Sequence, residues 1–197
     1  LLVIANGAAM ALYLPLTAWL PTFYNEVVGM SLNRAAAMVG IPPLVGMLSM
    51  LAAGFISLRV RARKPFIVIP GLLFGFAGFG AVLLGDSPLL FAALILVGFC
   101  AWFYQPTLFS MPMELPEVDS ANVSLVWGAI ISAAGFVGFL GPLFVGVVTD
   151  LTGTYLIAFS VLCVLSWGMG IAGLKLPETG KQHPTRPDWR TGPRLND

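Results

Sequence analysis

Three polar side chains interrupt the apolar run that opens the chain: Asn6, Tyr13 and Thr17. At about 100° per residue, their spacing places them on one face of a helix. A second group lies in AWFYQPTLF, residues 101–109, where Trp102, Gln105 and Phe109 share a face. There Pro106 removes a backbone donor and breaks the hydrogen-bond ladder. Hydroxyl, amide and indole groups set among apolar residues suit reversible binding in a mostly apolar pocket with a few orienting polar groups. They do not suit catalysis: no arrangement of nucleophile, base and orienting acid is visible, and no enzyme is expected. The competing reading of both groups is packing between helices with local hydrogen bonds, or aromatic rings placed against lipid. Gln105 is the stronger candidate, because an amide inside an apolar run needs a partner.

The elements that must hold these residues are membrane helices. Of 197 residues, 58% are hydrophobic and 10% charged, with a mean hydropathy of +0.90. A soluble domain carries about 25% charged residues, because its surface needs them. One bilayer crossing takes about 20 apolar residues, and six such runs follow one another: 1–20, 35–58, 66–84, 89–111, 122–148 and 155–174. Each is continuously apolar instead of alternating, which favours helices over barrel strands. Pro15, Pro42, Pro43, Pro106 and Pro142 are compatible with this, since neighbouring membrane helices can satisfy the freed backbone groups. The expectation is an all-α membrane protein: a six-helix transmembrane bundle over residues 1–176 and a disordered cytoplasmic tail, rich in proline, over 177–197. Its partner is the lipid bilayer. A net charge of +1, with the only basic cluster in a short loop flanked by apolar runs, argues against nucleic acid. Cys100 and Cys163 read as small core residues, and neither a cofactor nor a metal is expected. Because the chain opens at Leu1 inside an apolar run, an upstream segment is expected.

Charge placement orients the bundle. With the first helix starting inside, nine of the ten basic residues fall on the inner side and only Arg34 on the outer. This is the positive-inside pattern, and it predicts an integral protein of the plasma (inner) membrane with both ends cytoplasmic. Arg59 and Arg63 then share the inner side with Glu114 and Glu117. Charge pairs among them would form a latch between inner helix ends. Exposed pairs contribute only about 0–1 kcal/mol each, so the latch would open readily. Alternatively, RVRARK (59–64) merely enforces topology and meets lipid headgroups.

The chain also repeats itself. Pro15 and Pro21 recur as Pro106 and Pro112, and Gly54 as Gly146, at offsets of 91 and 92 residues. With three helices per unit, the two units run in opposite senses through the membrane. Inverted three-helix repeats are a transporter architecture. GFISLRVRARKP, residues 54–65, resembles the loop signature of the major facilitator superfamily. Gly54, Arg59, Arg63 and Lys64 match that signature, while Leu58 stands where its aspartate belongs and Arg61 where its second glycine belongs. GPLFVGVVTDLTGTY, residues 141–155, is similar to the end of that superfamily's eleventh helix, and its Gly146, Asp150 and Gly153 repeat the same spacing. PMELPEV (112–118) and LPETG (176–180) also sit where the family places similar sequences. The resemblance implies the C-terminal half of a twelve-helix permease, with a missing N-terminal six-helix half as partner. Within the superfamily it looks most like the cyanate- and nitrate-type permeases. It further implies that the first and fourth helices line a cavity, so Asn6, Tyr13, Thr17, Trp102 and Gln105 become candidates for contact with a small-molecule substrate. Gly54, Arg59, Arg63, Lys64, Glu114, Glu117, Asp150 and Gly153 become candidates for gating.

Other signals carry less. Gly168, Gly170 and Gly173 spell a dinucleotide-binding pattern but lie inside an apolar helix with no strand before it. Asn122 to Ser124 is a glycosylation sequon on the side predicted to face inward. The only histidine, His183, is in the tail. No ionisable residue lies within the core of any predicted helix, so an anion-binding cation or a proton relay would have to come from the missing half. Otherwise the substrate is neutral or apolar. The rival architectures are an oligomeric six-helix channel, for which no filter-like loop is visible, and a non-transporting fragment.

Overall fold

A computed structural model describes residues 1–60, 62–115, 118–119 and 122–180. Their elements are α1 (Leu2–Glu26), α2 (Leu32–Val39), α3 (Ile41–Arg59), α4 (Lys64–Leu83), α5 (Leu89–Trp102), α6 (Gln105–Glu114), α7 (Val123–Thr152) and α8 (Tyr155–Lys175). The pairs α2–α3 and α5–α6 each form one span, which leaves six helices long and apolar enough to cross a membrane. No strand occurs among the described residues. The six-helix, all-α expectation holds.

Helix edges differ from the sequence reading where packing overrides proline. The first helix continues through Pro21 to Glu26. Pro21 forfeits one backbone bond, but Phe23 and Tyr24 beyond it are buried, and the Tyr24 hydroxyl donates to the Ala81 carbonyl of α4 at 2.7 Å. Pro106 has a different outcome: the hydrogen-bond ladder is interrupted at Phe103 and Tyr104, which keep right-handed helical backbone angles, and it resumes at Gln105. Pro15 and its repeat counterpart Pro106 therefore do different things, one inside a continuous helix and one beside an interruption of the ladder.

The core gathers around α1, which packs against α8, α7 and α2, while α4 packs on α8 and α5, and α3 on α5 and α6. One close crossing joins α4 to α8. A side chain at Gly71 would sit 2.5 Å from the Gly170 backbone nitrogen, so only glycine permits it. Cys100 and Cys163 are buried free thiols. Burial is uneven. In their most apolar windows, 17% of α7 and 28% of the α2–α3 span are buried, against 50–61% for the other four spans.

Candidate substrate site and inner ion cluster

The break in the fourth span creates the principal polar feature. Pro106 has no N–H for the Trp102 carbonyl, so α5 ends there, and α6 restarts with Pro106 in its first turn, where the missing donor costs little. The intervening turn directs Tyr104 inward, fully buried, with its hydroxyl donating to Asn6 Oδ1 of α1 at 2.8 Å. Gln105 Nε2 donates to the same hydroxyl at 3.4 Å, and Asn6 Nδ2 donates to the Ile130 carbonyl of α7 at 3.4 Å. Asn6 is only 3% exposed. Three spans thus meet in one hydrogen-bonded chain of neutral groups. Two turns along α1, Tyr13 meets the indole of Trp102 edge to face, with centroids 5.6 Å apart.

The structure therefore brings Asn6 and Gln105 into one network and Tyr13 and Trp102 into one aromatic contact. Thr17 is placed differently. Its hydroxyl donates to the Tyr13 and Leu14 carbonyls of its own helix, at 3.2 and 3.0 Å. Phe109 packs against the core, and its carbonyl accepts from Trp127 Nε1 at 3.1 Å. Tyr104 escaped the sequence reading because the face singled out was that of Trp102, Gln105 and Phe109, whereas Tyr104 lies on the adjacent face with the buried Val97, Ala101, Leu108 and Met111. The available signal was the amide of Asn6, which required a partner within an apolar bundle.

A second cluster forms at the end of the bundle expected to face inward. Arg63 Nη2 lies 2.7 Å from Glu114 Oε1, and Arg63 Nε is 3.1 and 3.2 Å from the two carboxylate oxygens. Arg63 Nη1 donates to the Ser57 carbonyl at 3.0 Å. The side chains are 16% and 24% exposed. The buried Thr179 donates to Glu114 Oε2 at 2.8 Å. Glu178 accepts from the backbone N–H groups of Arg63 and Lys64, which places a carboxylate on the positive end of the α4 dipole. Residues just beyond α8, counted with the tail in the sequence reading, are thereby fastened to the bundle.

The other gating candidates scatter. Arg59 is exposed, and Lys64 enters the cluster through its backbone. Gly54 has open space around it, and Leu58, in the aspartate position, is 83% exposed. Glu117 lies outside the described residues, as do Arg61 and 181–197. Asp150 is exposed at the opposite end of the bundle, and Gly153 terminates α7 in a left-handed conformation at φ 71°. At that opposite end Arg34 pairs with Asp86 through two bonds, at 2.6 and 2.8 Å, with side chains 49% and 44% exposed. Tyr155 donates to Glu26 Oε2 there at 2.9 Å. Among the described residues no group of histidine, cysteine or carboxylate side chains has metal-binding geometry.

Six apolar helices packed around neutral polar groups, with ion pairs kept to the ends, define an α-helical integral membrane protein. The pattern of the Major Facilitator Superfamily matches residues 1–142, and the chain belongs to that superfamily. Its relatives carry transporter names. It is 27% identical over 137 residues to the putative metabolite transport protein NicT of Pseudomonas putida, covering 69% of this chain and 31% of that protein. Similarity to the hexuronate transporter of Bacillus subtilis is 28% identity over 156 residues, 72% of this chain and 35% of the relative. The probable sulfoacetate transporter SauU of Cupriavidus necator is 24% identical over 151 residues, 73% of this chain and 34% of the relative. The chain thus spans about a third of the length of the curated relatives it matches.

Proposed function

We propose that this chain is the C-terminal six-helix half of a secondary transporter that moves a small organic anion by alternating access. Membership of the superfamily supports membrane transport. The names of the relatives, a hexuronate and a sulfoacetate carrier, support an acidic substrate. The observation that carries the site assignment is the buried Asn6–Tyr104–Gln105 chain, which joins the first and fourth spans beside a helix break. Neutral amide and hydroxyl groups of this kind orient a substrate through hydrogen bonds. In this reading Tyr13 and Trp102 form an aromatic wall beside them.

The charged residues in the six spans all lie within three positions of an end. An anion at mid-membrane would then take its cation from a partner half, docked on the weakly buried faces of α3 and α7. Positive-inside placement supports cytoplasmic ends, with the Arg63–Glu114–Thr179 cluster on the inner face holding the inner end of α6 to the α3–α4 connection and to the segment after α8. Release of that cluster would accompany inward opening.

Uptake of labelled organic acids by the full-length protein in proteoliposomes tests the site. Asn6→Ala and Tyr104→Phe each take away a polar group whose hydrogen bond to substrate would be worth about 0.5–1.5 kcal/mol, so KM should rise about 2- to 12-fold. Thr17→Ala should stay within about twofold, because that hydroxyl serves its own helix. Unchanged KM in both network variants would overturn the assignment.

A further inference from the structure

We infer that Gly46 of α3 is a specificity-determining residue, because the space left by its missing side chain is the seat of Trp102 and sets how far the indole reaches toward α1. The inference rests on the reading of Trp102 as a wall of the substrate site.

The geometry of two parallel spans makes the case. One helical turn before Trp102, Gly98 of α5 lies directly against α3: a Cβ at 98 would fall 2.9 Å from Pro42 Cα. The two backbones already touch there, so the helices cannot approach further and the spacing at the next turn is set by this contact. One turn further along both, position 46 faces position 102. A Cβ at Gly46 would stand 2.8 Å from Cγ and 2.9 Å from Nε1 of the Trp102 indole. The five-membered ring of the indole therefore fills the space that a side chain at 46 would occupy. Its next neighbour is Tyr13 on α1, edge to face at 5.6 Å.

Trp102 is also the last residue of α5, immediately before the turn that carries Tyr104, with Gln105 opening α6. A methyl group at 46 would push the indole off α3, toward α1 and the polar chain, and narrow the space between the first and fourth spans. Larger substrates would suffer first. A single methylene in a binding pocket changes selectivity by about 10-fold or more, so the KM ratio of a six-carbon to a two-carbon acid should rise about tenfold in Gly46→Ala. Trp102→Phe, which shortens the ring, should restore the ratio in the Gly46→Ala background.

Two measurements on the full-length protein decide this. The first uses 5-fluorotryptophan labelling and ¹⁹F NMR. The resonance lost in Trp102→Phe should move in Gly46→Ala while the other tryptophan signals stay; a stationary signal overturns the seat. The second measures proteoliposome uptake of glucuronate and of sulfoacetate. If the parent transports and Gly46→Ala leaves the ratio of the two KM values unchanged, or Trp102→Phe fails to restore it, the inference fails alone. If the parent takes up neither acid, the anion-transport reading fails and takes the inference with it.

Discussion

The two ends of the bundle each carry an arginine–carboxylate pair, and the pairs differ in what surrounds them. Arg34 and Asp86 make two short bonds, but both side chains are nearly half exposed, and the pair ties only the start of α2 to the α4–α5 turn. Arg63 and Glu114 are mostly covered, and each has further partners: the Ser57 carbonyl for the arginine, the Thr179 hydroxyl for the carboxylate. Glu178 then fixes the backbone of Arg63 itself. Screening by water leaves an isolated exposed pair worth about 0–1 kcal/mol. A partly buried network is costlier to break, because removing one member leaves another charge desolvated and unpaired. Equal geometry thus does not mean equal energy. The inner cluster binds three helix ends into one body, whereas the outer pair is a local clasp.

The largest test of this contrast is charge reversal inside the cluster. Glu114→Lys places an ammonium beside Arg63 and strips Thr179 of its acceptor. If the cluster biases a two-state equilibrium by about 1–3 kcal/mol, its loss shifts the populations about 5- to 150-fold. Uptake should slow by at least about fivefold with expression unchanged. Maleimide labelling of a cysteine introduced on the inner face of α6, in a background lacking Cys100 and Cys163, should become faster. Unchanged uptake and labelling would reduce the cluster to a structural clasp like its outer counterpart.

A smaller effect is expected at the cap of α4. Glu178→Ala leaves the Arg63–Glu114 pair intact but removes the carboxylate from the first N–H groups of the helix. Loss of a capping group costs about 0.5–2 kcal/mol. Detergent thermal unfolding should show a lower Tm than the parent, and uptake should fall less than in Glu114→Lys. If Glu178→Ala matches the charge reversal, the segment after α8 is as important to the cluster as the ion pair.

Much of this was legible in the sequence, for identifiable reasons. Continuous apolar runs gave six spans because lipid demands them. The Arg63 and Glu114 candidates followed from placing loop charges on one side. Glu178 and Thr179 did not, since proline-rich composition past Leu176 argues for disorder and says nothing of a carboxylate within reach of a helix start. Pro106 marked a break, yet Pro15 and Pro21 are chemically identical and leave α1 continuous; tertiary packing, not residue type, separates these cases. Tyr104 was missed because the polar face chosen in the fourth span was that of Trp102 and Gln105. It lies about 100° around the helix from Gln105, among buried apolar residues such as Val97, Ala101 and Leu108, and its partner, Asn6, marks it out from them.

The smallest effect belongs to the outer pair. Asp86→Asn keeps the size and shape of the side chain and one acceptor oxygen, so Arg34 can still make one bond across the same short distance. What is lost is the charge, and both groups already share their surfaces with water. The cost should lie within about 1 kcal/mol, a Tm change close to the error of a detergent melt. Raising salt from 50 to 500 mM should shrink it further, because screening acts most strongly on exposed charges. Uptake should be unaffected. A large loss of uptake in Asp86→Asn, comparable to that of Glu114→Lys, would show that exposure misjudges the outer pair. The contrast between the two ends would then rest on something other than burial.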